Sequence, residues 1–233
     1  MKSLRIIILL CLALTSYLAQ AQNPLSQRVQ TELSMGISLP FLEKGEELMR
    51  AKRLRDQGLS YYQAPEGESP RQVGNYSAPI GWSLALGYYH PISRIKGLML
   101  GGIVRSSLTG STPSEGGYEE GYFFNFLSVG GGLKYYPFTQ NNFFVKADAG
   151  LASVFTKNRF LDESGEQAFF HQFGIGFNSS VAVGYSLKPF PNKSTLLDLQ
   201  VIAQRNNTRV EVNGIGNDIW RYTALNFMLS LNF

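Results

Sequence analysis

The chain has 233 residues, enough for one large domain or a single barrel with its connections. Its net charge of +4 is too small to argue for nucleic acid, and it shrinks once Lys2 and Arg5 of the N-terminal segment are set aside: 19 basic residues then stand against 17 acidic. The 24 glycines and 13% aromatic content, with only 16% charged residues, favour a β-rich protein with tight turns and aromatic girdles.

The first element is a leader. Met1–Arg5 carries two positive charges, Ile6–Leu14 is an apolar run broken only by Cys11, and Ala19-Gln20-Ala21 places small residues where a signal peptidase reads them. A cleaved signal peptide over residues 1–21, and so export, is expected, with the barrel domain over 22–233. The apolar run is far short of the roughly 20 residues a spanning helix needs. Acylation at Cys11 would want a small residue where Leu10 stands. Cys11 is the single cysteine, so the exported part has no disulfide, thiol nucleophile or cysteine metal site. No later stretch approaches 18 continuous apolar residues, which excludes a helical membrane protein.

The rest of the chain is read by alternation, because successive side chains of a strand point to opposite faces. Strand one sets Leu33, Met35, Ile37 and Leu39 against Glu32, Ser34, Gly36 and Ser38. Strand two sets Trp82, Leu84, Leu86 and Tyr88 against Ser83, Ala85 and Gly87. Strand three, near Gly97–Ser107, is ambiguous because Leu98-Met99-Leu100 is apolar on both faces. Strand four sets Leu127, Val129, Leu133 and Tyr135 against Ser128, Gly130, Gly132 and Lys134, and strand five sets Phe143, Val145, Ala147, Ala149 and Leu151 against Lys146, Asp148, Gly150 and Ala152. Strand six, Phe169–Leu187, is the clearest and is long for a soluble domain. Strand seven sets Leu197, Leu199, Val201 and Ala203 against Asp198, Gln200 and Gln204, with Leu196 and Ile202 out of phase. Strand eight sets Leu225, Phe227, Leu229, Leu231 and Phe233 against Ala224, Asn226, Met228, Ser230 and Asn232.

Three features favour a membrane barrel over a soluble sandwich. The small or polar face carries Lys134, Lys146, Asp148, Asp198 and Gln200 at mid-strand while the other face is bulky and apolar, the order expected of a narrow barrel in lipid. Connections alternate in length: short near His90–Lys96, Pro137–Asn142 and Lys188–Ser194, long near Pro40–Pro79, Leu108–Gly121, Thr156–Gln167 and Asn206–Trp220. Aromatics gather at strand ends. Tyr88, Tyr89, Tyr135, Tyr136, Phe143, Phe144, Tyr185 and Phe233 would form a periplasmic girdle, and Trp82, Tyr122, Phe123, Phe155, Phe169, Trp220 and Tyr222 an external one. The fold expected is an eight-stranded antiparallel up-and-down transmembrane β-barrel.

The last nine residues, Leu225 to Phe233, resemble the terminal strand of bacterial outer-membrane proteins. That resemblance implies that Leu225, Phe227, Leu229, Leu231 and Phe233 form the signal read by the assembly machinery. Over its exported length the chain resembles the small OmpX/OmpA-type barrels, especially the PorT-like porin-family β-barrel proteins of Bacteroidetes. The resemblance implies the Gram-negative outer membrane, with its lipids and lipopolysaccharide as surroundings, and leaves open a secretion or assembly accessory role.

An eight-stranded barrel is only wide enough for its own side chains. Lys134, Lys146, Asp148 and Asp198 are therefore expected to form a charge-paired plug, since unpaired buried charge is costly. His90 and His171 lack a second ligand at metal spacing, so no metal or cofactor is expected. A lipid A-modifying enzyme would want a Ser as the strand-mate of His171, where Phe173 stands. Gly130-Gly131-Gly132 sits mid-strand with no following helix and is no phosphate loop. Within the longest connection, Glu43–Gln57 runs acid-first and base-last, which suits a short helix whose basic end could grip lipopolysaccharide phosphates or a partner. The chain is expected to end with its last strand and to be non-enzymatic, acting through external loops in adhesion, surface protection or membrane organisation.

Overall fold

The computed structural model describes residues 24–43, 80–111, 114–115, 118–138, 142–161, 167–189, 194–212 and 216–233. The leader lies outside these residues, as do residues 44–79 with most of the helix expected over Glu43–Gln57.

A single turn of 3-10 helix at Pro24–Gln27 leads into the first of eight long strands: β1 Gln30–Glu43, β2 Gly81–Pro91, β3 Leu98–Ser111, β4 Tyr118–Tyr135, β5 Phe143–Leu161, β6 Gln167–Leu187, β7 Leu196–Val212 and β8 Gly216–Asn232. A two-residue strand at Ser114–Glu115 pairs with the start of β4. Every neighbouring pair is antiparallel, and the ring closes because β1 pairs with β2 on one side and β8 on the other. Closure leaves no free edge, which a backbone surrounded by lipid requires. The seam runs to the end of the chain: the Phe233 amide donates to the Thr31 carbonyl at 3.0 Å, and the Thr31 amide to the Phe233 carbonyl at 3.2 Å.

Alternation sets the two faces. Along β2 the burial pattern strictly alternates from Gly81 to His90, and along β8 from Trp220 to Phe233. Leu33, Met35, Trp82, Leu84, Leu86, Leu151, Ile175, Val181, Leu199, Phe227 and Leu229 lie on the outer face with between 44% and 64% of their surface exposed. So large a continuous apolar exterior is rare on a soluble monomer and, wrapped around a closed barrel, marks a surface made for lipid. The ambiguous third strand resolves the same way, with Leu100 outward and Met99, Ile103 and Arg105 inward.

The strands are longer than their apolar alternation suggested. About 9–11 residues cross a membrane, whereas β4, β5, β6, β7 and β8 have 18, 19, 21, 17 and 17 residues. Much of the expected loops at Leu108–Gly121, Thr156–Gln167 and Asn206–Trp220 is therefore strand, and Pro40–Glu43, assigned to the longest loop, continues β1 opposite Ala224–Arg221. The ladder continues after the outward face turns polar, because main-chain pairing needs no apolar side chain. Arg205, Asn207 and Arg209 still project outward while Asn206, Thr208 and Val210 point in. Among the described residues the wall formed by β4–β8 is thus taller than that formed by β1–β3.

At the opposite end the turns are tight. Between β2 and β3 the Ile92 amide donates to the Leu98 carbonyl at 2.9 Å, and Gly97 takes a positive φ of 84°. A Cβ there would also sit 2.4 Å from the Tyr136 carbonyl oxygen, so glycine is required twice over.

Candidate functional site

The lumen is the densest concentration of chemistry in the described residues. Six charged side chains are buried in it: Glu32, Arg105, Lys134, Lys146, Asp148 and Asp198. They balance, three acids against three bases.

Two linked clusters account for them. Lys134 of β4 donates to Asp198 Oδ2 of β7 at 2.6 Å and to Gln30 Oε1 of β1 at 2.9 Å, and its Nζ lies 3.9 Å from Glu32 Oε2. Lys146 of β5 donates to both Glu32 oxygens, at 2.7 and 2.9 Å, and to Gln200 Oε1 at 3.2 Å. The Gln200 amide and the Ser34 hydroxyl complete the Glu32 carboxylate, donating to Oε1 at 2.9 and 2.8 Å. In the second cluster Arg105 of β3 forks onto Asp148 of β5, Nη1 to Oδ1 at 3.3 Å and Nη2 to Oδ2 at 3.0 Å, and also reaches Ser180 of β6 at 3.1 Å. Ser180 itself donates to Asp148. Lys146 and Asp148, two residues apart on β5, place the clusters side by side.

Aromatic rings close the column at both ends. Towards the short turns lie Tyr89, Tyr136 and Phe144 with Met99. Lys134 Nζ stands 4.4 Å from the Phe144 ring centroid and Lys146 Nζ 5.1 Å from that of Tyr89, so these rings also face the cations. Towards the long connections Phe126 stacks on Tyr222 at 4.1 Å, and Trp220 meets Phe124 edge-on at 6.1 Å. An apolar cluster of Ala85, Ile103, Ala182, Ile202 and Met228 lies at the level of the charges, with Ala85 opposite Arg105, Ala182 opposite Lys146 and Met228 opposite Gln200, and a band of amides comes between the charges and the upper cap. In that band Gln204 Oε1 accepts from Ser107 and from Asn226, both at 3.2 Å.

The expected girdles need correction. Tyr89, Tyr136, Phe144, Trp220 and Tyr222 are inside the barrel, none with more than 3% of its surface exposed. In the doublets Tyr88-Tyr89 and Phe143-Phe144 period two lets only one ring face lipid, and Trp220 and Tyr222 are in phase with the inward Ala224 and Asn226. Tyr88, Tyr185, Phe233, Trp82, Phe123, Phe155 and Phe169 do lie outside, while the side chain of Tyr122 is not among those described.

All five polar residues singled out in the sequence project into the lumen: Lys134 meets Asp198 and Lys146 meets Gln200, whereas Asp148 stands apart from these four and pairs with Arg105. Leu225, Phe227, Leu229, Leu231 and Phe233 all face outward on β8 and its last residue. Glu32 and Arg105 were not singled out. Glu32 had a signal, sharing a face with Ser34 and Gly36; Arg105 was hidden by the two-faced start of β3. His171 is outward and stacks on Phe155 at 5.6 Å, and His90 is exposed at the short-turn end. Among the described residues no group of three His, Cys, Asp or Glu could hold a metal ion.

A closed antiparallel ring with a lipid-suited exterior and a filled, charge-paired interior defines a narrow transmembrane β-barrel. No family model and no curated protein sequence matches the chain. Among solved structures it is similar to Ail, the attachment invasion locus protein of Yersinia pestis, in complex with the heparin analogue sucrose octasulfate: 13% identity, 88% of this chain and 99% of that one, TM-score 0.48. It is also similar to Neisserial surface protein A, at 13% identity over 88% of this chain and 97% of that one, TM-score 0.45. The barrel assignment rests on this chain's own closed ladder, and these likenesses carry no activity over to it.

Proposed function

We propose that the chain is a non-enzymatic outer-membrane protein, exported by the leader 1–21, whose barrel is an anchor and whose long connections act outside the cell. The work of those connections is adhesion, surface protection or membrane organisation. The observation that carries this reading is the filled lumen: among the described residues six buried charges pair with one another between two clusters of buried aromatic rings, in a barrel only wide enough for its own side chains. A barrel that neither conducts nor gathers catalytic groups in its interior offers its loops and outer face as working surfaces. The long connections lie at the end where such barrels face the exterior.

Three measurements test this. The protein is expected in the outer-membrane fraction, to give no stepwise current in planar bilayers, and to accept a membrane-impermeant amine reagent at Lys52 on intact cells. Recovery as a soluble periplasmic protein, discrete channel openings, or labelling of Lys52 only after lysis would each reject it.

A further inference from the structure

The chain reaches its first strand by crossing the short-turn mouth of the barrel. Ahead of β1, Pro24–Gln27 makes a single 3-10 turn. So short a helix has no stability of its own, and a segment before the first strand keeps its place only where something ties it down. The Leu25 side chain packs, partly buried, against the lumen cluster at this end: Tyr89 of β2, Met99 of β3, Tyr136 directly after β4 and Phe144 of β5. The Leu25 carbonyl accepts from Gln30 Nε2 at 2.7 Å. The Arg28 guanidinium donates to the Ser194 carbonyl, just ahead of β7. Leu25 thus holds the segment to the β2–β5 side of the ring and Arg28 holds it to the β7 side, with the opening between them.

Gln30 makes this segment more than a cover. Its Nε2 holds the Leu25 carbonyl while its Oε1 accepts from Lys134 Nζ at 2.9 Å, and the same Lys134 pairs with Asp198 at 2.6 Å. One side chain therefore joins the segment to a buried ion pair. Asp198 Oδ1 is buried and has no hydrogen-bond partner among the described residues, so it is the group at this end that gains most from water. We propose that Pro24–Arg28 is a detachable strap over the short-turn mouth: closed, it seals the lower lumen, and open, it admits water to Lys134 and Asp198. Its release gives up the Leu25 packing and the bonds of Leu25 and Arg28, none of them part of the strand ladder. It therefore opens at far lower cost than the barrel unfolds. The buried aromatic cluster at the far end takes no part, so the open form is a hydrated pocket at one end of the lumen. The strap goes beyond the anchoring reading, and its test holds whichever compartment the protein occupies.

The protein in detergent, with Cys11 replaced by serine and one cysteine introduced by M99C, is reacted with sulfonatoethyl methanethiosulfonate, and the rate is read by intact-mass spectrometry. Met99 is fully buried in the cluster that Leu25 covers. L25S/R28A removes the side-chain ties of the strap and leaves Gln30 in place. It is expected to label M99C about tenfold faster than the background with an intact strap, and to keep the heat-modifiable gel mobility. V154C, buried in the cluster at the far end, is expected to react at the same rate in both backgrounds. Equal rates at M99C overturn the proposal. An equal acceleration at V154C also overturns it, because the whole barrel has then loosened instead of one mouth opening. If M99C does not fold, L196C, buried at the start of β7 at the same end, gives the same decision.

Discussion

Lys134 and Asp198 meet at 2.6 Å with both side chains fully buried, although β4 and β7 are not neighbours in the ring. The bond therefore crosses the lumen and ties opposite walls together. Glu32–Lys146 does the same for β1 with β5, while Arg105–Asp148 spans the shorter distance from β3 to β5 over the single intervening strand β4.

Breaking such a pair from one side leaves a buried charge with no counter-ion. K134M is predicted to lower stability by about 3–5 kcal/mol, and K134M/D198L to recover most of that loss, because the net worth of an intact buried pair is small. Urea unfolding in lipid vesicles measures both. A K134M midpoint equal to wild type would mean that the lumen is hydrated enough to solvate Asp198.

Phe227 lies near the middle of the apolar stretch of β8, half-exposed on the outer face. F227R is predicted to cost about 2–4 kcal/mol, the penalty for a cation at the bilayer midplane. N217R, outward on the same strand beyond the belt, is predicted to be neutral in the same assay. Equal effects at both positions would remove the lipid boundary from between them.

Phe233 closes the seam through two main-chain hydrogen bonds to Thr31. Its deletion is predicted to lower outer-membrane yield several-fold in cells, while protein refolded in detergent keeps its heat-modifiable shift. That split separates a signal read by the assembly machinery from a contribution to stability, which for two such bonds is about 1–3 kcal/mol. Unchanged cellular yield would contradict the role given to the terminal face.

Alternation in the sequence was enough to place residues such as Leu86, Val181 and Leu229 outside, because one polar–apolar period is the same in a strand whatever surrounds it. It was not enough for Trp220 and Tyr222. Strand-end aromatics suit a girdle and a lumen cap equally, and what decides is that β8 continues back through Trp220 in unbroken phase, keeping both rings on the face of Ala224 and Asn226. The extended walls were invisible for a related reason. In Arg205–Val212 both faces carry polar residues, so an apolar period cannot mark a strand that main-chain pairing nevertheless continues. Arg105 was missed because Leu98-Met99-Leu100 obscured the phase of its strand, whereas Lys134 and Lys146 stand in strands whose phase is plain. The partners that join these residues are long-range and follow from ring closure, which no local pattern encodes.

The central claim is that the odd-numbered residues of β8 face lipid and the even-numbered ones a closed, filled interior. Because Cys11 is the chain's one cysteine, it can be replaced and single cysteines introduced from Leu225 to Asn232 for spin labelling in bilayers. Collision with lipid-soluble oxygen is predicted to be high at 225, 227, 229 and 231 and low at 226, 228, 230 and 232. An oxygen profile without that two-residue period, or with its phase reversed, would contradict the account.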